Sequence, residues 1–255
     1  SNFAIGDTFT NPGFAAEGAG LRQFDNVVAN PMWNQPNYAN TFYENDQWGR
    51  FTYGVPNASS ADWGWVQHIA ASLKDGGRAA VVLDTGAVSR GSGSKGSNKE
   101  RDIRKQFVED DLIEGVVLLP DNLFYNTSAP GIIIVLSQRK PVEREGQFLL
   151  VNASAHFVKE KPKNTLTDEG IAAVGEVFQK WESREKLSRV VDIEEVRKAD
   201  YSLSPSQFVD INGGTEHRPL KEILADLHSA LSKRREADAT LEGVLSRLGL
   251  NGGDE

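Results

Sequence analysis

The fold class that this sequence predicts is α/β: a layer built on a largely parallel sheet, followed by an α-helical tail. Two observations predict it. Short apolar runs, several of them apolar on both faces, alternate with stretches of helical periodicity, which is how strands covered on both sides read. Past residue 164 the strands give way to apolar positions at three- and four-residue spacing, the mark of amphipathic helices.

The first run, Val27-Val28-Ala29, closes the strand 24–29 and stops at Asn30-Pro31-Met32-Trp33. A helix over 62–74 follows, with Asp62 placed to cap it. Trp65, Val66, Ile69, Ala70 and Leu73 form its apolar stripe, Lys74 lies in the last turn, and Gly76-Gly77 ends it,. The run 78–84 is the next strand. A Gly/Ser-rich loop (89–98), a helix over 99–109 and strands at 115–120, 131–137 and 147–153 complete the α/β part, assigned to 1–164. In the remainder, 165–255, a helix from Asp168 to Trp181 has Ile171, Val174, Phe178 and Trp181 on one face. Asp192 and Glu195 form a capping-box pattern,. Leu220, Leu224, Leu227, Leu231, Leu241, Leu245 and Leu248 share one heptad seam, interrupted by Arg234 and Asp238. That seam suits either a surface for a partner or a fold back on its own domain.

Composition narrows the function. The 255 residues are 39% hydrophobic, enough for one substantial core,. There is no cysteine, so disulfides, thiolate metal sites and cysteine nucleophiles are excluded,. The four histidines lack metal-like spacing, and no metal site is expected,. No apolar run reaches the roughly 18 residues of a membrane span, and the first residues do not read as a signal peptide. A net charge of −8 argues against a surface that grips nucleic acid all over, but leaves room for a local basic groove,.

Residues 30–33 stand at the carboxyl end of a strand, where open α/β sheets bind ligands. Pro31 fixes its own backbone and pushes Asn30 toward an extended conformation. The Asn30 side-chain oxygen and the Pro31 carbonyl are thus held together beside the Trp33 ring. Such a set suits methylation of an exocyclic amine. Two acceptors bind the N–H groups, the nitrogen lone pair turns toward a methyl donor, and the ring stacks on a base extruded from its duplex. The four letters alone read first as turn chemistry.

The wider sequence resembles the modification (methyltransferase) subunit of type I restriction–modification systems, an N6-adenine DNA methyltransferase family. FAIGDTFTNP (3–12), FDNVVANPMW (24–33), the stretch 59–91, the stretch 100–141 and DYSLSPSQFVD (200–210) look like that family's blocks in order. The resemblance implies a Rossmann-like S-adenosylmethionine-dependent sheet. Asn30 and Pro31 would accept from the target amino group, and Trp33 would stack. Asp7, with Thr8 beside it, would bind the adenosine part of S-adenosylmethionine, and Asn30 would lie against the cofactor. It also implies double-stranded DNA as substrate, a specificity subunit on the C-terminal helices, a restriction subunit as a further candidate partner, and the cytoplasm as location. Met32 replaces the family's usual proline, and an apolar contact with donor or base survives that change. The family's glycine-rich cofactor turn would precede residue 1. The chain is therefore expected to be the C-terminal part of a longer protein, with much of the cofactor site upstream, and to be inactive alone. Gly91-Ser92-Gly93-Ser94-Lys95-Gly96 matches G-x-G-x-x-G but begins seven residues after Asp84, and it reads as a mobile loop and not a dinucleotide fingerprint. Arg90, Lys95, Lys99, Arg101, Arg104 and Lys105 around it read as DNA-phosphate contacts or as a solvated face. Trp48, Phe51, Tyr53, Trp63 and Trp65 read as core before base pocket. The rival readings are a methyltransferase of protein glutamine or RNA, and a non-catalytic scaffold.

Overall fold

The computed structural model describes residues 3–15, 20–36, 38–211, 231–232, 234–238 and 241. The chain forms two compact units, Ser1–Ile211 and Asn212–Glu255. In the first, the elements in order are β1 (Phe24–Ala29), α1 (Asn40–Glu44), α2 (Asp62–Ala71), β2 (Leu73–Asp84), α3 (Lys99–Glu109), β3 (Ile113–Leu118), β4 (Gly131–Ser137), β5 (Gln147–Asn152), β6 (Phe157–Val158), β7 (Thr165–Leu166), α4 (Asp168–Lys180), β8 (Ser188–Asp192), α5 (Ile193–Lys198) and α6 (Pro205–Phe208). Six strands form one sheet in the order β1-β2-β4-β3-β5-β8, and β6 pairs with β7 separately. The sheet runs past residue 164, since β8 is its last strand.

The sheet is mixed, which corrects the expectation of a largely parallel one. β1 pairs parallel with β2, and β3 with β5, but β4 runs antiparallel to both its neighbours and β8 antiparallel to β5. No helix separates β3 from β4, so the chain turns back on itself without the crossover that parallel pairing needs.

Period-two alternation sorts the side chains onto two faces. Val116, Phe148 and Leu150 join a core with Trp63, Val66 and Ile69 of α2, Ile103 and Phe107 of α3, and Val196 of α5. Val117, Leu149 and Val151 face the other way, where Val177, Val174 and Phe178 of α4 cover them. On α4, Ile171 is exposed and Val177 holds the central position, a shift from the predicted face. β1 is an edge strand whose Val28 is 84% exposed. The buried-looking run of the sequence is thus covered on one face only among the described residues.

Helix α2 also departs from expectation. Its cap position is Ala61, and Asp62 sits one residue inside with its carboxylate turned to other partners. The helix stops at Ala71, where the Ser72 hydroxyl donates to the His68 carbonyl (2.8 Å) and the Ser72 carbonyl accepts from Phe24 N–H. The strand then bulges: β1 pairs with Leu73 and next with Arg78. Gly76 at φ +72° makes that excursion possible,. The Asp192 cap is as predicted, its side chain accepting from Glu195 N–H (2.8 Å), while the Glu195 carboxylate goes to Arg189.

In the second unit, Leu231 and Leu241 are exposed and Arg234 pairs with Asp238 (3.6 Å). Leu220, Leu224, Leu227, Leu245 and Leu248 lie outside the described residues. Among the described residues no helix is long and apolar enough to cross a membrane.

Candidate active site

The motif leaves the sheet at the carboxyl end of β1, after Ala29 pairs with Val81. Asn30 is exposed, and its side-chain amide makes no hydrogen bond among the described residues. Pro31 is half-buried and Met32 is 68% exposed. Trp33 turns back onto the sheet. Its indole N–H donates to the Val82 carbonyl (3.2 Å), and its ring meets Phe124 edge to face at 4.6 Å. Gly131 lies beneath both rings; a Cβ there would stand 2.8 Å from Phe124 and 2.9 Å from Trp33.

Asn34, which the sequence reading passed over, ties down the far end. Its backbone has a left-handed φ of +50°, a conformation asparagine tolerates better than most residues. Its N–H donates to Asp62 Oδ1 (3.0 Å), its Nδ2 donates to Asp84 Oδ2 (3.0 Å), and its Oδ1 accepts from Arg90 Nη1 (3.2 Å). Arg90 joins three carboxylates: Asp62 (2.5 Å), Asp84 (2.8 Å) and Glu100 (2.6 Å). Burial disfavours the Arg90 charge, but Glu100 and Asp62 outweigh it and raise its pKa. Burial likewise pushes Asp84 up, and hydrogen bonds from Asn34, Gly86 and Arg90 bring it below the usual carboxylate range. Asp62 sits on α2, Asp84 ends β2 and Glu100 opens α3, so one guanidinium fastens three elements to the motif loop.

Asp7 lies on a second tethered segment. Its Oδ1 accepts from the amides of Phe9 (2.9 Å) and Thr10 (3.3 Å), and its Oδ2 accepts from the Tyr38 hydroxyl. Burial raises the Asp7 pKa, and these donors, Tyr38 first, more than offset it to hold the carboxyl low. The hydrogen bond to Asp7 pushes Tyr38 up to about 12. Arg50, buried, pairs with Asp46 (2.7 Å) and donates to the carbonyls of Thr8 (3.0 Å) and Phe9 (2.7 Å), and it touches His68 Nδ1 on α2 (3.3 Å). Phe9 packs among Trp65, Phe51 and Tyr43. A cavity of about 340 Å³ opens between this segment and the sheet, lined by Gly6, Thr8, Val27, Val28 and His68. Thr8 thus shares a wall with β1, while no hydrogen bond joins Asp7 to Asn30.

Other sequence candidates resolve differently. Trp63 is core, its N–H donating to the Ala87 carbonyl (2.9 Å). Trp48 lies against the Arg50 guanidinium (4.7 Å) and Tyr53 against Phe107 (4.7 Å). The loop 89–98 is fastened from α3. Arg104 donates to the carbonyls of Ala87 and Arg90 and to the Ser92 hydroxyl, and Arg101 donates to those of Ser94 and Gly96. Arg90, Arg101 and Arg104 are therefore bonded within the protein and do not form a freely solvated face. Asp62, Asp84 and Glu100 were missed as well. Only Asp84 carried a signal, since it ends a strand at the same carboxyl edge as Asn30.

A sequence model of the N-6 DNA Methylase family matches residues 1–217. The type I restriction enzyme MjaVIII methylase subunit of Methanocaldococcus jannaschii is 41% identical over 252 residues, covering 96% of this chain and 42% of that protein. The type I restriction enzyme HindI methylase subunit of Haemophilus influenzae is 28% identical over 255 residues, covering 95% and 54%. Among solved structures, the type I restriction-modification system methyltransferase subunit from Streptococcus thermophilus superposes with a TM-score of 0.69 at 29% identity, over 80% of this chain and 41% of that one. The chain spans about half or less of the length of these relatives.

Proposed function

The chain belongs to the N-6 DNA methylase family, and from that premise we propose that it supplies the target-base half of an adenine-N6 DNA methyltransferase within a type I restriction–modification assembly. The α/β methyltransferase fold is shared with the Streptococcus thermophilus subunit. The observation that carries the proposal is Asn30. Its amide is exposed and, among the described residues, unengaged, while the chain around it is fastened to the sheet through β1 and to Asp62 and Asp84 through Asn34. An amide held this way is ready to accept an amine's hydrogen bonds without first giving up its own.

In this reading the Asn30 oxygen and the Pro31 carbonyl accept from the two N–H groups of the target amine, and Trp33 supports the extruded base. Asp7, kept ionised, and Thr8 bind the donor S-adenosylmethionine, with Asn30 bordering it. When bound, the donor supplies an electrophilic methyl group. The residues of this chain orient the nitrogen and exclude competing geometries. The relatives are named as subunits; by extension this protein works on double-stranded DNA in the cytoplasm, joined to a specificity subunit through the leucine seam from Leu220 to Leu248.

The test uses the protein expressed from its complete reading frame. Asn30→Ala should keep S-adenosylmethionine affinity by calorimetry within about twofold and lower adenine methylation by at least about a hundredfold, since it removes a transition-state contact. Methylation that survives the substitution overturns the assignment of Asn30. A wild-type protein that binds no S-adenosylmethionine overturns the enzyme reading in favour of a scaffold.

A further inference from the structure

With the arginines of the 89–98 region committed to internal partners, a cluster of lysines on the turn between β6 and β7 stands out. Lys159 and Lys161 are exposed and make no ion pair among the described residues. The Lys163 ammonium rests on two neutral oxygens, Asn122 Oδ1 and the Thr127 carbonyl (both 3.0 Å). Among the described residues, no other five-residue stretch holds three basic side chains without an acidic partner. Of the local acids, Glu160 hydrogen-bonds the Thr165 hydroxyl (2.7 Å) and Asp121 hydrogen-bonds Asn164 Nδ2 (3.2 Å); Glu160 keeps its charge, and the turn 159–163 still holds three lysines against that one acid.

The turn is not a loose appendage. Asn164 N–H donates to the Asn122 carbonyl (3.0 Å), and Asn164 Nδ2 to the Asp121 carbonyl (3.0 Å). Asn122 Nδ2 reaches back to the Pro162 carbonyl (3.4 Å). Two residues beyond Asn122 comes Phe124, whose ring meets Trp33. The segment 122–124 thus links the motif aromatic, through Phe124, to Pro162 and Lys163 of the turn, through Asn122. In a chain of net charge −8, whatever attraction to a polyanion the chain itself supplies comes from such a local patch.

We propose that the β6–β7 turn binds the DNA phosphate backbone beside the methylation site, through Lys159 and Lys161, with Lys163 holding the turn in place. This rests on the DNA-methyltransferase reading above. Contacts of this kind fix the register of a duplex and carry no sequence information. Lysines on a turn anchored to Asn122, two residues from the Phe124 that meets Trp33, would hold the strand while its target base leaves the stack.

The experiment measures DNA binding by fluorescence anisotropy from about 50 to about 200 mM salt, with the full reading-frame protein in its native assembly. The variants are K159Q/K161Q and, as a matched charge control, K186Q/K198Q. Each lost phosphate contact lowers the slope of log affinity against log salt by about 0.9. Wild-type affinity should therefore fall about 12-fold more than that of K159Q/K161Q over this range, on cognate and unrelated duplexes alike, and the control should follow wild type. An unchanged slope in K159Q/K161Q overturns the proposal while leaving the methyltransferase reading intact. So does an equal drop in the control, which would make the effect one of net charge. A wild-type assembly that binds no DNA overturns both.

Discussion

Arg90→Met is the most informative perturbation of the scaffold. The guanidinium meets Asp62 and Glu100, whose side chains are 0% and 1% exposed, and also Asp84, which is 20% exposed. Removing one partner of a buried pair costs about 3–5 kcal/mol, because the other charge stays buried without compensation. Asp84 keeps its bonds from Asn34 and Gly86, so its part is that of a surface pair, about 0–1 kcal/mol. Met fills much of the arginine's volume, so little of the loss is cavity. A total near 4 kcal/mol lowers the midpoint of thermal unfolding by about 8–16 °C for a unit of this size. Urea unfolding followed by tryptophan fluorescence reads it directly. R90M/E100Q should be more stable than R90M alone, since it removes the charge that R90M strands. A loss below about 1 kcal/mol, or a second substitution that adds its own penalty, would show that Arg90 does not serve to neutralise these groups.

Three further outcomes follow from the same geometry. Burial, with Arg50 adding to it, pushes His68 down to about 4, below its unfolded value of about 6.5. Its contribution is complete above that value and is lost as pH falls toward 4, at most about 3 kcal/mol. His68→Gln, which keeps an acceptor for Arg50, should flatten the stability profile over that window, and an unaltered profile would refute the assignment. Gly131→Ala places a Cβ against Phe124 and Trp33. It should cost about 1–3 kcal/mol and shift tryptophan emission, whereas an unchanged spectrum would mean that the rings yield freely. Arg104→Met leaves the carbonyls of Tyr201 and Arg90 without their Arg104 donor, while Ala87 keeps that of Trp63. Limited proteolysis should then cut within 89–98 faster than in wild type, and equal rates would show that the loop is ordered by something else.

Much of the fold was legible because its signals are local. The run 131–137 is apolar throughout and preceded by Pro130, and it became β4 with both ends as expected. Asn98 as cap and the stripe through Ile103 and Phe107 define α3. Sheet direction was misjudged, although the absence of a helical pattern between 118 and 131 already implied a reversal,. The basic cluster misled because charge count does not say where a charge goes. The distinction that mattered was chemical. The three arginines turned inward, where a planar fork can satisfy several oxygens at once, while Lys95, Lys99 and Lys105 form no ion pair among the described residues,. For the site, the strand-end position of Asn30 was readable from pattern and proline. The restraint on it was not, because Asp62, Asp84, Arg90 and Glu100 come together only once α2, β2 and α3 are packed.

The two asparagines of the motif loop divide the work. Asn34 uses its amide N–H, its side-chain NH₂ and its side-chain oxygen on Asp62, Asp84 and Arg90. Asn30, four residues earlier and exposed, uses none of its side-chain capacity among the described residues. Were the roles reversed, the loop would be no less stable, but the group proposed to meet a substrate would be saturated by protein. Holding the backbone through Asn34 and Trp33 allows the loop to be rigid while Asn30 stays available, and rigidity of the supporting shell is what gives such a group its geometry. Met32 fits the same division. At 68% exposed it contributes little to the core, so a residue other than proline can stand there without loosening a loop fixed on both sides.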